Sequence, residues 1–126
     1  MFSHIMVGAN DVQQSKEFYD AVLGALGYKE GRIDEKGRCF YMTSSGVFAI
    51  SKPIDGEEAC HGNGSTIGFS AKNTAMADAW HEAGIASGGT ACEDEPGWRK
   101  GNLGSLYLAY LRDPSGNKVC ALHREG

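Results

Sequence analysis

The sequence predicts an α+β fold built from two βαβββ modules in pseudo-twofold repeat, and three observations carry that expectation. Residues alternate in polarity from Phe2 to Gly8 and again from Thr66 to Ala71, and each stretch runs into a polar stop followed by helical spacing. A single shift of 62 positions takes His4 to Thr66 (66 − 4 = 62), Phe18 to Trp80, Ala21 to Ala83 and Gly27 to Gly89 without a gap. The later turns match at a shift of 70, Gly46 onto Gly116, so the second half carries eight additional residues (70 − 62 = 8) in the stretch holding Glu93 to Lys100.

The elements follow in order. The first strand places Phe2, His4 and Met6 on one face and Ile5 with Val7 on the other. Asp11 is a suitable N-cap with Gln14 three residues on, and Phe18, Val22 and Leu26 recur at helical spacing before Gly27 ends the helix. Strands are expected around Tyr28 to Ile33, from Cys39 to Thr43 and from Val47 to Ser51, with Ser44-Ser45-Gly46 as a turn. The Gly-rich, charged stretch KPIDGEEACHGNG reads as a linker, giving module one at 1–55, linker at 56–64 and module two at 65–126 within one domain. In the second module Asn73 or Thr74 caps a helix containing Ala77 and Trp80. AGIASGGT closes that helix and leads into a strand, ACEDEPGWRKGNLGS reads as a long polar loop, and LYLAYL, RDPSGN and KVCALH give strand, turn and strand.

Bulk properties narrow the function. A chain of 126 residues with 41% hydrophobic content supports one domain with a substantial core. Its net charge of −4 comes from scattered groups with no basic stripe, which argues against nucleic acid as a partner. No apolar run suits a bilayer and no leader pattern is visible, so the expected location is cytoplasmic, with no membrane partner. Cys39, Cys60, Cys92 and Cys120 form no CxxC pair and are expected to be reduced thiols.

Read residue by residue, Trp98 and Arg99 in the enlarged loop offer a stacking and charge clamp over a ligand, or an exposed loop without a role. Tyr41, Tyr107 and Tyr110 line a cavity or belong to the core, while His81 and His123 are expected to face solvent. Phe18, Val22 and Trp80 are assigned to the core.

The stretches HIMVGANDVQQSKEFYDAVLGALGY, GNGSTIGFSA and LYLAYLRDPSGNKVCAL together resemble the vicinal-oxygen-chelate superfamily, which includes glyoxalase I, extradiol dioxygenases and bleomycin-resistance proteins. The resemblance spans nearly the whole chain and implies paired βαβββ modules with a curled mixed sheet around a cavity, often assembled as a homodimer. In metal-using relatives the ligands come from the first and last strands of each module. Those positions fall here on His4, Thr66, Cys120 and, less surely, Ile50. Family ligands are His, Glu or Gln, and this chain offers one imidazole, one hydroxyl, one thiol and an alkyl group. The positions therefore read as vestigial for metal, and no cofactor is expected.

The primary expectation is a small-molecule-binding protein with a metal-free cavity contacted by His4, Thr66, Cys120, Tyr41, Tyr107, Trp98 and Arg99. Cys120 itself reads as a nucleophile, a soft-metal ligand or buried filler. The alternative is a metal-dependent lyase or isomerase of the lactoylglutathione lyase type, or a related dioxygenase. A third possibility pairs Cys120 with His4 in metal-free catalysis, provided the two side chains meet.

Overall fold

The computed structural model describes residues 1–102 and 104–125. Leu103, inside the expected polar loop, and Gly126 lie outside the described residues. Module one comprises β1 (His4–Gly8), α1 (Val12–Ala25), β2 (Arg32–Ile33), β3 (Cys39–Thr43) and β4 (Gly46–Ser51). Module two comprises β5 (Ile67–Ser70), α2 (Thr74–Ala86), β6 (Thr90–Ala91), β7 (Gly97–Gly101), β8 (Gly104–Arg112) and β9 (Lys118–Arg124). Each module builds its own mixed sheet, ordered β1-β4-β3-β2 in the first and β5-β9-β8-β6 in the second, with β7 also paired to β8.

The repeat is visible in hydrogen bonds as well as in element order. Asp11 accepts from the Gln14 N–H at 3.1 Å and Asn73 accepts from the Met76 N–H at 2.8 Å, so both helices start with the same side-chain cap. Ile5 pairs with Phe48 in parallel, and Ile67 pairs with Val119 in the same sense. The ends of the modules differ from expectation. The left-handed glycine after α2 is Gly88 and not Gly89, matching Gly27 after α1, because α2 is one residue shorter than α1. The second β-hairpin turn is longer, with Arg112 opposite Lys118 where Thr43 stands opposite Gly46. The last strands therefore correspond at a shift of 71 (119 − 48 = 71), which puts Cys120 at the place of Ala49 and not of Ile50.

The second half of the added stretch, from Gly97, forms a strand where a loop was expected. β7 pairs along β8 in the register Trp98 with Tyr107 and Arg99 with Leu106, so β6 and β7 together border one side of β8. In module one the expected strand from Tyr28 shortens to Arg32–Ile33, because Gly31 lies against the Cys39 and Tyr41 side chains and its N–H is taken by Asp20 at 2.8 Å.

The core lies where α1 and α2 pack together between the sheets. α1 buries Ser15, Phe18, Tyr19, Val22 and Leu23, and α2 buries Ala77, Trp80 and Gly84. The helices cross closely at Gly84, where a Cβ would sit 2.2 Å from a Leu111 methyl and 3.0 Å from Val22. Tyr19 lies tilted against Phe48 at 4.7 Å and Phe48 meets Phe69 edge-on at 5.3 Å, carrying one aromatic row from the first sheet into the second. The turn at Asp113 to Asn117 clasps the first module: Asn117 Nδ2 donates to the Gly8 carbonyl at 2.9 Å and the Asn10 N–H donates to Ser115 Oγ at 3.0 Å.

Candidate functional site

Where the modules meet, the N-terminal end of β1, the hairpin between β3 and β4, and β5 leave a cavity of about 250 Å³. Its apolar wall is Ile5, Phe48, Ile67 and Phe69, and its polar groups are His4, Thr43, Ser45 and Ser70. The strand period explains the composition. Ile5 and Phe48 are paired neighbours on the helix-facing side of the first sheet, while His4 belongs to the opposite face and reaches the cavity from its rim. Ser45 of the hairpin turn adds a hydroxyl at the mouth, where Thr43 Oγ1 donates to the Gly46 carbonyl at 2.7 Å.

His4 is exposed, and its Nδ1 lies 2.8 Å from Ser3 Oγ. Among the described residues the ring makes no other hydrogen bond, which leaves Nε2 free for a guest. Tyr41 also lines the cavity, but its hydroxyl donates to Asp20 Oδ1 at 2.8 Å. Burial, followed by that bond to Asp20, pushes the phenol far above its ordinary value, so it stays neutral and is committed to the scaffold.

The other expected contacts are dispersed. Thr66 precedes β5, is exposed and does not line the cavity. Cys120 is buried between Tyr110 and Gly68, and its Sγ would meet a Cβ on Gly68 at 3.2 Å, so it stands behind the cavity-lining strand and outside the lining itself. Burial pushes its thiol up to about 11. Ile50 is fully buried in the core. Tyr107 donates to Asp78 Oδ1 at 2.6 Å, on the face that packs toward α2.

Trp98 and Arg99 do not form a clamp. Strand alternation sends them to opposite faces of β7: Trp98 packs edge-on against Tyr107 at 5.4 Å and His123 at 6.2 Å. The Arg99 guanidinium instead donates to the Gly97, Leu108 and Asp94 carbonyls at 2.9, 2.8 and 3.1 Å. His123, expected to face solvent, is half-buried with Nδ1 at 3.1 Å from the Ala71 carbonyl.

The residues at the ligand positions of metal-using relatives do not fit a divalent ion. His4 offers one exposed imidazole, Thr66 a hydroxyl outside the strand, and Cys120 a buried thiol that is protonated at neutral pH; Ala49, at the fourth place, offers a methyl group. Among the described residues no group of three or more His, Cys, Asp or Glu side chains is placed to hold a metal ion. His4 and Cys120 do not share the cavity lining, so the pairing needed for thiol catalysis is not assembled there.

Phe48, Phe69, Thr43, Ser45 and Ser70 line the cavity and are residues that the sequence reading missed. The turn signal at Ser44-Ser45-Gly46 marks the mouth, but no local pattern marks Phe48 and Phe69 as partners, since they come from different modules.

Two βαβββ modules with helices packed together and a small cavity at their junction define a paired-module α+β fold. The family model of the glyoxalase/bleomycin resistance protein/dioxygenase superfamily matches residues 1–121, and the chain belongs to that superfamily. It is similar to a glyoxalase/bleomycin resistance protein from Albidiferax ferrireducens T118, with 59% identity, 98% of this chain and 99% of that one covered, and a TM-score of 0.95. The fold is shared with a glyoxalase-related enzyme from Fulvimarina pelagi (16% identity, 98% and 88% covered, TM-score 0.75). It is shared too with a lactoylglutathione lyase from Agrobacterium tumefaciens (20% identity, 98% and 92% covered, TM-score 0.67). No curated protein matches the chain significantly. Among the described residues no helix is long and apolar enough to cross a membrane.

Proposed function

We propose that the chain binds a small, partly apolar molecule in the cavity between its modules, without a metal ion. The observation that carries this reading is the lining itself: the faces of Phe48 and Phe69 with two isoleucines, and a rim of His4, Thr43, Ser45 and Ser70 able to orient one polar end. Isomerisation of the lactoylglutathione lyase type needs a carboxylate to move the proton, and His4, Thr66, Cys120 and Ala49 supply none. Assembly as a homodimer belongs to the same reading, because the first sheet exposes Met6 and Met42.

The test is a thermal-shift screen of small aromatic and heteroaromatic compounds on untagged protein with and without a chelator, beside the variant Ser70→Trp. Ser70 is exposed and lines the cavity, so the indole fills it without disturbing the core. Hits that ignore the chelator and vanish in the variant support the reading. Stoichiometric metal in the untagged protein, with chelator-sensitive isomerisation of the methylglyoxal-glutathione adduct, overturns it. Sedimentation at micromolar concentration reads the oligomeric state, and a monomer there refutes the dimer.

A further inference from the structure

β6 and β7 lie along the same side of β8, and the chain between them leaves the sheet. Ala91 pairs with Leu111 and Gly97 with Leu108, so five residues, Cys92 to Pro96, cross a gap spanned in β8 by two, Ala109 and Tyr110 (5 − 2 = 3 in surplus). Surplus chain must arch outward. Side chains fix the direction of the arch: Glu93 forms an ion pair with Lys118, which stands on β9 beyond β8, and Arg99 donates to the Asp94 carbonyl at 3.1 Å. Both cations flank one ring, with Lys118 Nζ 4.9 Å and the Arg99 guanidinium 5.8 Å from the Tyr110 centroid. Tyr110 pairs with Cys120 on the face opposite to Ala109, Leu111, Val119 and Ala121, which pack into the core. The arch therefore leans over the face of the second sheet that is turned away from the helices.

Little holds it there. Glu93, Asp94 and Glu95 are exposed, Cys92 and Pro96 are half-buried, and none of the five belongs to the apolar core. Among the described residues Glu93 alone, apart from glycines, has left-handed backbone, at φ 60°. A segment with few buried apolar contacts and strain at its centre opens at low cost, so the polar contacts decide its position. Its effect on the sheet is visible at Cys120, which is 5% exposed although Gly68 beside it on β5 is exposed. Module one has no such arch, and on its corresponding face Met6 and Met42 are 43% and 69% exposed.

We propose that Cys92 to Pro96 form a lid over the Tyr110 and Cys120 surface, latched shut by Glu93 on Lys118 and lifting away when that ion pair breaks. The left-handed backbone at Glu93 favours the open position, and the ion pair opposes it. The device is independent of the proposed guest at His4.

Peptide-resolved amide exchange and alkylation of the full chain by iodoacetamide test the lid. Lys118→Gln is expected to speed exchange at Cys92 to Glu95 and alkylation of Cys120 by about threefold, the scale of a partly exposed ion pair, and high salt to do the same in wild type. Cys39, fully buried in module one, reports global loosening and is expected to stay unreactive. Lys118→Gln/Glu93→Asn is expected to return both rates part of the way, because Asn accepts left-handed backbone more readily than Glu. Unchanged Cys120 alkylation in Lys118→Gln overturns the proposal, as does a rise at Cys39 in step with Cys120. Exchange at Cys92 to Glu95 that is already unprotected in wild type shows an unlatched loop and overturns it as well.

Discussion

The Tyr19 hydroxyl donates to the Asp113 carboxylate at 2.6 Å across 94 residues of sequence, joining the helix of the first module to the last turn of the second. Asp113 is 3% exposed and also accepts from the Ser115 and Asn117 N–H groups and from Asn117 Nδ2. Tyr19→Phe removes one buried bond to a carboxylate and is expected to cost about 1.5–3 kcal/mol. Asp113→Ala leaves the phenol and the turn donors unpartnered together and is expected to cost more. Urea denaturation of both variants checks the order, and equal midpoints for Tyr19→Phe and wild type would falsify the latch.

Gly84→Ala is expected to destabilise the fold by about 1–3 kcal/mol, although alanine is the better helix former. The added Cβ falls 2.2 Å from Leu111 and 3.1 Å from Phe18, at the place where the helices cross. A thermal midpoint at or above that of wild type contradicts the close crossing.

Ser15→Ala is expected to act in the opposite direction. Ser15 is fully buried on α1 and, among the described residues, its Oγ has no hydrogen-bond partner. Replacing it removes an unsatisfied hydroxyl and improves helix propensity, worth about 1 kcal/mol of added stability. A loss of stability points to a partner for the hydroxyl in solution.

Alkaline pH should destabilise the protein. Burial raises the Cys120 thiol from 9.0 to about 11, and burial with a neighbouring carboxylate raises Tyr19 and Tyr41 above their ordinary 10.0. A raised folded pKa means that the fold prefers the protonated form. This contribution is therefore complete below pH 9 and is lost as the unfolded chain ionises, first through Cys120 between 9 and 11, then through the tyrosines above 10. Each group costs up to about 1.4 kcal/mol per pH unit in its window. Urea midpoints at pH 8 and pH 10.5 measure the fall, and a flat profile contradicts it.

Arg99→Ala separates scaffold from site. Because Arg99 holds three carbonyls around β7, its loss is expected to cost about 1.5–3 kcal/mol and to raise amide exchange from Gly97 to Gly101. Ligand binding at the His4 cavity should not change. Weakened binding with unaltered exchange restores the clamp expected from the sequence.

Much of the fold is legible in the sequence because its signals are local. Asp11 and Asn73 announce both helices, and the alternation around His4 and Ile67 announces the first strand of each module. β7 escapes such a reading because Gly97 and Gly101 bracket three residues whose charge resembles a loop, while their pairing with β8 is decided by neighbours across the hairpin. The site is less legible for a related reason. His4 and Tyr41 are found in the cavity lining, but the contact of Phe48 with Phe69 is a tertiary event between two strands of ordinary apolar pattern. Thr66 fails as a contact because β5 begins one residue after it, a boundary that alternation alone does not fix.

The clasp of Asn117 on the Gly8 carbonyl has a consequence for the order in which the protein is made. It closes over 109 residues, and the Ser115 bond to Asn10 closes over 105. During vectorial synthesis the first strand and helix leave the ribosome well before the turn that secures them, so a nascent chain that ends before residue 113 carries an unlatched first module. Closure over so long a loop is entropically slow. The final hairpin thus supplies the last of the hydrogen bonds that hold the end of the first strand.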